Sequence, residues 1–295
     1  MTETTSPRTE LRAAATPDAD HRPAPPTMPA PPTMPGPPAL EARGLTLAYE
    51  KNVIFEGLDL RIEHGEITTL IGANGSGKST LLKAFGRLLP PSAGSVEMAG
   101  RPMRSMSTRD VARRLAILPQ KPLTPSATTV RDLVSRGRHP HQSLLRPWTP
   151  QDSQIIGTAL AATGLTELAD RDAASLSGGQ LQRAWIALVL AQEAPTILLD
   201  EPTTFLDLTH QLDVLRLVRR INRERGATVV MVLHDLTLAG RYSDRLVVVG
   251  GGRVIADGAP WEVLTPGILR EAFDLDALVI ADPSSGTPLI VPVDD

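Results

Sequence analysis

The sequence predicts an α/β fold: a mostly parallel sheet, preceded by an antiparallel β subdomain and interrupted by a helical insertion. Three observations carry this. Ile67–Ile71, Ile197–Leu199 and Thr228–Leu233 are continuous apolar runs, as parallel strands buried on both faces require. The first run feeds a glycine-rich loop and then a helix, a strand–loop–helix order. Residues of about 121–194 read mostly as helix and separate the first run from the other two.

Taken from the N-terminus, residues 1–38 stand apart. They hold eleven of the chain's 27 prolines, including Pro25-Pro26, Pro31-Pro32 and Pro37-Pro38. Proline removes backbone donors and disfavours helix in the preceding residue. With few large apolar side chains to offset ordering entropy, the segment is expected to be a disordered or polyproline-II tail. Residues 39–295 then form the folded domain. Leu45, Leu47 and Tyr49 alternate with polar residues, as do Leu58, Leu60 and Ile62, which reads as half-buried antiparallel strands. Glu63-His64-Gly65-Glu66 is a turn, and Ser79–Leu89 reads as a helix closed by Pro90-Pro91.

Within the insertion, Thr129-x-x-Asp132 and Thr149-Pro150-x-Asp152 each pair an N-cap with an acid at the third helical position. Gln211–Arg225 is an amphipathic helix. Leu246–Val249, Gly250-Gly251-Gly252 and Arg253–Ala256 spell a closing hairpin, and Thr265-Pro266 opens a final helix. No internal repeat is present, so the chain carries a single unit of this fold rather than a tandem pair.

Composition bounds the function. Thirty basic against 33 acidic residues give a net charge of −3, which argues against bulk electrostatic binding of nucleic acid. With no cysteine, disulfides and thiolate metal sites are excluded. No apolar stretch approaches the roughly 18–20 residues that cross a bilayer, and the N-terminus has no signal-peptide core. The expectation is a cytoplasmic protein; any membrane part must come from another chain.

The chemistry concentrates in a few stretches. Gly72-Ala73-Asn74-Gly75-Ser76-Gly77-Lys78-Ser79, followed by Thr80, fits G-x-x-x-x-G-K-[ST] without mismatch. Gly75 and Gly77 let backbone N–H groups approach phosphate oxygens, and the next helix presents its positive end. Lys78 is placed to reach the β- and γ-phosphates of a nucleotide, and Ser79 to ligate Mg²⁺. Asp200, closing a buried strand, is placed to hold the same metal. Glu201 beside it can accept a proton from an attacking water. Ser177-Gly178-Gly179-Gln180 opens a second helix. Its serine and free N–H groups make a small anion site and equally a capping box. His64, His139 and His141 lack convergent ligands for a metal, and Gly137-Arg138-His139-Pro140-His141 reads as a surface loop.

Together, the phosphate loop, Leu176-Ser177-Gly178-Gly179-Gln180 and Ile197-Leu198-Leu199-Asp200-Glu201 resemble the ATP-binding subunits of ABC transporters, from about Leu40 to the C-terminus. The resemblance implies a P-loop NTPase core using ATP and Mg²⁺. It implies that Ser177, Gly178, Gly179 and Gln180 bind ATP held by an opposite copy, so that the chain dimerises head to tail on ATP. Gln120, after Ala116-Ile117-Leu118-Pro119, matches the Q-loop position near metal and water. His234 matches the switch histidine that contacts the γ-phosphate, and Asp207 the D-loop aspartate that couples two sites. Tyr49 matches the aromatic that stacks on adenine; a core tyrosine ending an alternating strand is the equal alternative.

Three stretches narrow the group. Thr203-Thr204-Phe205-Leu206-Asp207-Leu208-Thr209-His210-Gln211 and Gln182-Arg183-Ala184-Trp185-Ile186-Ala187 are similar to ATPases of iron–siderophore importers and of related haem and cobalamin importers. Gly137-Arg138-His139-Pro140-His141 shares this similarity. The resemblance implies a subunit on the inner face of the membrane that drives a separate permease. A periplasmic or lipoprotein substrate-binding protein would take part indirectly, and no nucleic acid would be bound. The alternatives are an ABC ATPase for haem, cobalamin or another substrate, and a soluble ABC ATPase acting on nucleic acid or ribosomes.

Overall fold

The computed structural model describes residues 1, 36–50, 52–122, 126–143, 148–204 and 206–293. The expected proline-rich tail falls largely on residues 2–35, and one branch signal on Phe205; both lie outside the described residues. The fold belongs to the unit Pro31–Asp295.

In chain order, β1 (Leu40–Tyr49) and β2 (Asn52–Ile62) lead to β3 (Ile67–Ile71) and α1 (Lys78–Phe85). Next come β4 (Ala93–Met98), β5 (Arg101–Pro102), α2 (Thr108–Ala112) and β6 (Leu115–Leu118). The helical insertion holds α3 (Val130–Ser135), α4 (Pro150–Ala162) and α5 (Gly178–Ala191). The chain then returns through β7 (Thr196–Asp200), α6 (Leu208–Arg225), β8 (Thr228–Val232), α7 (Leu236–Tyr242), β9 (Arg245–Gly250) and β10 (Arg253–Gly258). It closes with α8 (Pro260–Val263), α9 (Pro266–Phe273), β11 (Ala277–Ala281) and β12 (Pro288–Pro292).

Among the described residues the central sheet has the order β10-β9-β3-β8-β7-β6. β3 is parallel to β8 and β9, and β7 is parallel to β8 and β6; β10 alone runs antiparallel. Every residue of β3, β7 and β8 is buried, which is why they read as unbroken apolar runs. Side chains alternate between two cores. Ile67, Ile71, Ile197, Leu199, Val229 and Met231 face the helical insertion, α6 and α7. Leu70, Leu198, Val230 and Val232 face α1 and the antiparallel sheet β2-β1-β4-β5.

Parallel strands end on one edge, so Gly72, Gln120, Asp200 and Glu201 leave the C-terminal ends of β3, β6 and β7 together. His234 follows β8 on the same edge. Ligands of open α/β sheets bind at this edge.

Two local readings are corrected, and two elements go unread. α1 ends at Phe85 rather than Leu89, because Gly86 caps it and Arg87 turns left-handed at φ 56. Gly137-Arg138-His139-Pro140-His141 is no open surface loop. It lies in a 3₁₀ turn, Arg136–His141, and Arg138 is 3% exposed. β4 goes unread because Ala93-Gly94-Ser95 offers no apolar alternation, yet it pairs with β1 from Leu40↔Met98 to Thr46↔Ala93. The hairpin β11–β12 goes unread because Ala277–Ala281 is apolar on both faces while Leu278 and Ile280 stay exposed.

Candidate active site

The glycine-rich loop is shaped by close approach. Gly77 caps α1 at φ 97, and a Cβ there would lie 2.5 Å from Phe55 Cε2. At Gly72 a Cβ would lie 2.1 Å from Val249 O. No other residue fits either position. Lys78 Nζ donates to Gly72 O at 2.8 Å and Ala73 O at 2.9 Å, so the ammonium lies over the loop's own carbonyls. Burial lowers the Lys78 pKa, opposed by the nearby Glu201 and Asp200 carboxylates. Ser76 Oγ is buried in the loop with no hydrogen-bond partner, a polar atom that a phosphate oxygen would satisfy.

Ser79 and Asp200 lie 121 residues apart in sequence, yet Ser79 Oγ donates to Asp200 Oδ1 at 2.8 Å. Asp200 is 3% exposed. Burial pushes its pKa up, and the Ser79 hydrogen bond only partly reverses this. A hydroxyl and a buried carboxylate without a full counter-charge form the hard oxygen donor set that suits Mg²⁺.

Glu201 departs from ordinary backbone. Its φ is 53, a left-handed conformation that costs a non-glycine residue on the order of 1–3 kcal/mol and concentrates at functional sites. Its carboxylate gathers three neighbours. His234 Nε2 lies 2.7 Å from Oε1, Thr204 Oγ1 donates to Oε2 at 2.9 Å, and the Gln120 side chain also hydrogen-bonds to it. Burial alone would raise the Glu201 pKa. The bonds from His234, Gln120 and Thr204 outweigh it, and the net shift is downward. The group is therefore held as a carboxylate beside Asp200. Gln120 and His234, both singled out in the sequence, thus meet at Glu201. Thr204 was not singled out; its only sequence signal was its place in the stretch after Glu201.

The second glycine-rich helix start is built as a reciprocal cap. Gln180 N donates to Ser177 Oγ at 3.3 Å, and Ser177 N donates to Gln180 Oε1 at 3.1 Å. Gly178 and Gly179 follow at the start of α5. Gln182 Nε2 donates to Pro202 O at 2.9 Å, which ties α5 to the segment after Glu201. Asp207 caps α6, accepting from His210 N at 2.9 Å, with His210 Nδ1 at 2.7 Å. Tyr49, 44% exposed at the end of β1, is not a core residue. The hydrogen bonds of Ser177 and Asp207 run to their own helices, whereas Lys78, Ser79, Asp200, Glu201, Gln120 and His234 cluster at the sheet edge.

A family profile described as ABC transporter matches residues 55–204. The petrobactin import ATP-binding protein FpuD of Bacillus anthracis is 48% identical over 254 residues, covering 86% of this chain and 93% of that protein. The achromobactin transport ATP-binding protein CbrD of Dickeya dadantii is 49% identical over 254 residues, covering 86% of this chain and 94% of that protein. The dimeric structure of MJ0796, a bacterial ABC transporter cassette, superposes with a TM-score of 0.68 at 25% identity, covering 75% of this chain and 98% of that one. With the phosphate loop, the Ser79–Asp200 pair and the Glu201 cluster on one sheet edge, the chain belongs to the ABC transporter family, among its ATP-binding proteins.

Proposed function

We propose that this chain is the ATP-hydrolysing subunit of an importer for ferric siderophores, acting as a pair of copies against a separate membrane permease. The observation that carries the hydrolytic assignment is Glu201, held ionised by His234, Gln120 and Thr204 beside the Ser79–Asp200 pair. A carboxylate in that place takes the proton of an attacking water. Gly72–Gly77 and Thr80 bind the nucleotide phosphates through their backbone, with Lys78 moving its ammonium from the loop carbonyls to the phosphate charge. Ser79, Asp200 and Gln120 would hold Mg²⁺, which when bound would supply positive charge against the phosphates.

Ser177, Gly178, Gly179 and Gln180 of one copy face the ATP of the other, and Asp207 links the two sites. Tyr49 stacks on the adenine. Loss of the γ-phosphate releases Ser177 and His234, a switch of the γ-phosphate kind. The names of the relatives support the substrate class: FpuD is named for petrobactin import and CbrD for achromobactin transport. Among the described residues no helix is long and apolar enough to cross a membrane, so the transport path is assigned to the permease, with this chain on its inner face.

One experiment tests both halves. Glu201→Gln is expected to keep ATP binding in the purified protein and to slow turnover by about 10²- to 10⁴-fold. Cells relying on this variant are expected to lose uptake of labelled ferric siderophore. Undiminished turnover would remove Glu201 from its role; unchanged uptake in cells lacking the chain would remove the substrate.

A further inference from the structure

We propose that a cleft between α4, α5 and α6 is a second anion site, one that takes a phosphate-bearing small molecule. The cleft has a volume of about 480 Å³ and is lined by Arg183 of α5, by Asp213, Arg216 and Arg220 of α6, and by Thr163 and Gly164 after α4. That volume falls within the range of about 300–1,000 Å³ typical of small-molecule sites. Asp213, Arg216 and Arg220 are spaced to share one face of α6.

The charges do not balance. Arg216 meets Asp213 only loosely, Nη1 to Oδ1 at 3.4 Å. Arg220 Nη2 donates to a neutral carbonyl, Ala162 O, at 2.8 Å. Arg183 is half-buried, and its Nε is buried with no hydrogen-bond partner. Among the described residues no carboxylate pairs with Arg183. Three guanidiniums thus share one acid.

Guanidinium offers donors only, in a fork that matches phosphate oxygens two at a time. A phosphate between Arg183 and the α6 arginines would neutralise the excess charge of the cleft. It would also staple α5, capped by Ser177, to α6, capped by Asp207. The binding claim does not depend on the proposed transport role; only the effect of that staple on the paired copies rests on it.

The probe is inorganic pyrophosphate, titrated by calorimetry into the full chain after its phosphate loop has been filled with a non-hydrolysable ATP analogue. The analogue's own binding is measured first, so a failure of the nucleotide assignment shows separately. The expected result is one further pyrophosphate per chain, weakened about tenfold or more by Arg183→Gln and by Arg216→Gln, and tightened by Asp213→Asn. Arg216 is exposed, so its variant keeps the test decisive if Arg183→Gln fails to fold by circular dichroism. No pyrophosphate heat on the filled protein at millimolar concentration, or equal binding by wild type and Arg216→Gln, overturns the site.

Discussion

Replacing Arg138 by Met is expected to destabilise the protein by several kcal/mol without touching the nucleotide site. Arg138 is 3% exposed and Asp152 is 4% exposed. Nε of Arg138 donates to Asp152 Oδ1 at 2.9 Å, and Nη1 donates to Ala191 O at 2.8 Å and to Glu193 Oε2 at 2.9 Å. Burial alone would raise the Asp152 pKa. Bonds from Arg138 and Thr149 overcome it and bring the carboxyl down from 3.8 to about 2. At about 1.4 kcal/mol per pH unit, that fall is worth about 2 kcal/mol in favour of the ionised form.

Removing one partner of a buried pair strands the other charge, which typically costs about 3–5 kcal/mol. Asp152 keeps its bonds from Thr149 N at 2.9 Å and Thr149 Oγ1 at 2.8 Å, so the expected loss lies at the low end, about 2–4 kcal/mol. Urea unfolding monitored by circular dichroism reads this as a lower midpoint at unchanged slope. Asp152→Leu added to Arg138→Met is expected to recover much of the loss, because no buried charge is then left alone. The sign with pH follows from the depressed carboxyl. Its contribution is complete above pH 3.8 and is lost as pH falls through about 2. A loss under about 1 kcal/mol for Arg138→Met would show that the pair is neither buried nor coupled as described.

Two further outcomes bear on the site. Glu201 has its pKa lowered from 4.5, so base function is intact above that value and lost only as pH falls below it; kcat should show no acidic limb from Glu201 above pH 4.5. His234→Ala removes one bond that opposes burial and should move that limb upward, whereas a wild-type limb centred above 4.5 would contradict the geometry. Ser177→Arg places a bulky cation at the start of α5 and breaks its reciprocal cap, a loss of about 1 kcal/mol. Light scattering should then find no ATP-dependent dimer, and a normal dimer would refute the head-to-tail clamp.

The legible parts were local in sequence. The phosphate loop needs contiguous glycines and a lysine, so Gly72–Ser79 reads directly. Strands buried on both faces need unbroken apolar runs, so β3, β7 and β8 were found nearly to their ends. Caps at Thr129, Thr149, Ser177 and Thr265 were visible because their hydrogen bonds close within three residues. Arg138 was misread as a surface residue because its partners lie at Asp152, Ala191 and Glu193, beyond any local pattern. Thr204 was passed over for a related reason: nothing in Thr203-Thr204 states that its hydroxyl turns back to Glu201.

The amino-acid order thus determined which residues could bind phosphate and metal, since those chemistries demand fixed side chains at fixed spacing. Tertiary structure alone decided that Gln120, His234 and Thr204 converge on Glu201, that Ser79 meets Asp200, and that Arg183 shares a cleft with Arg216 and Arg220. Parallel pairing of β6, β7, β8 and β3 brings distant strand ends to one edge, and that proximity depends on sheet order and register rather than on any single segment.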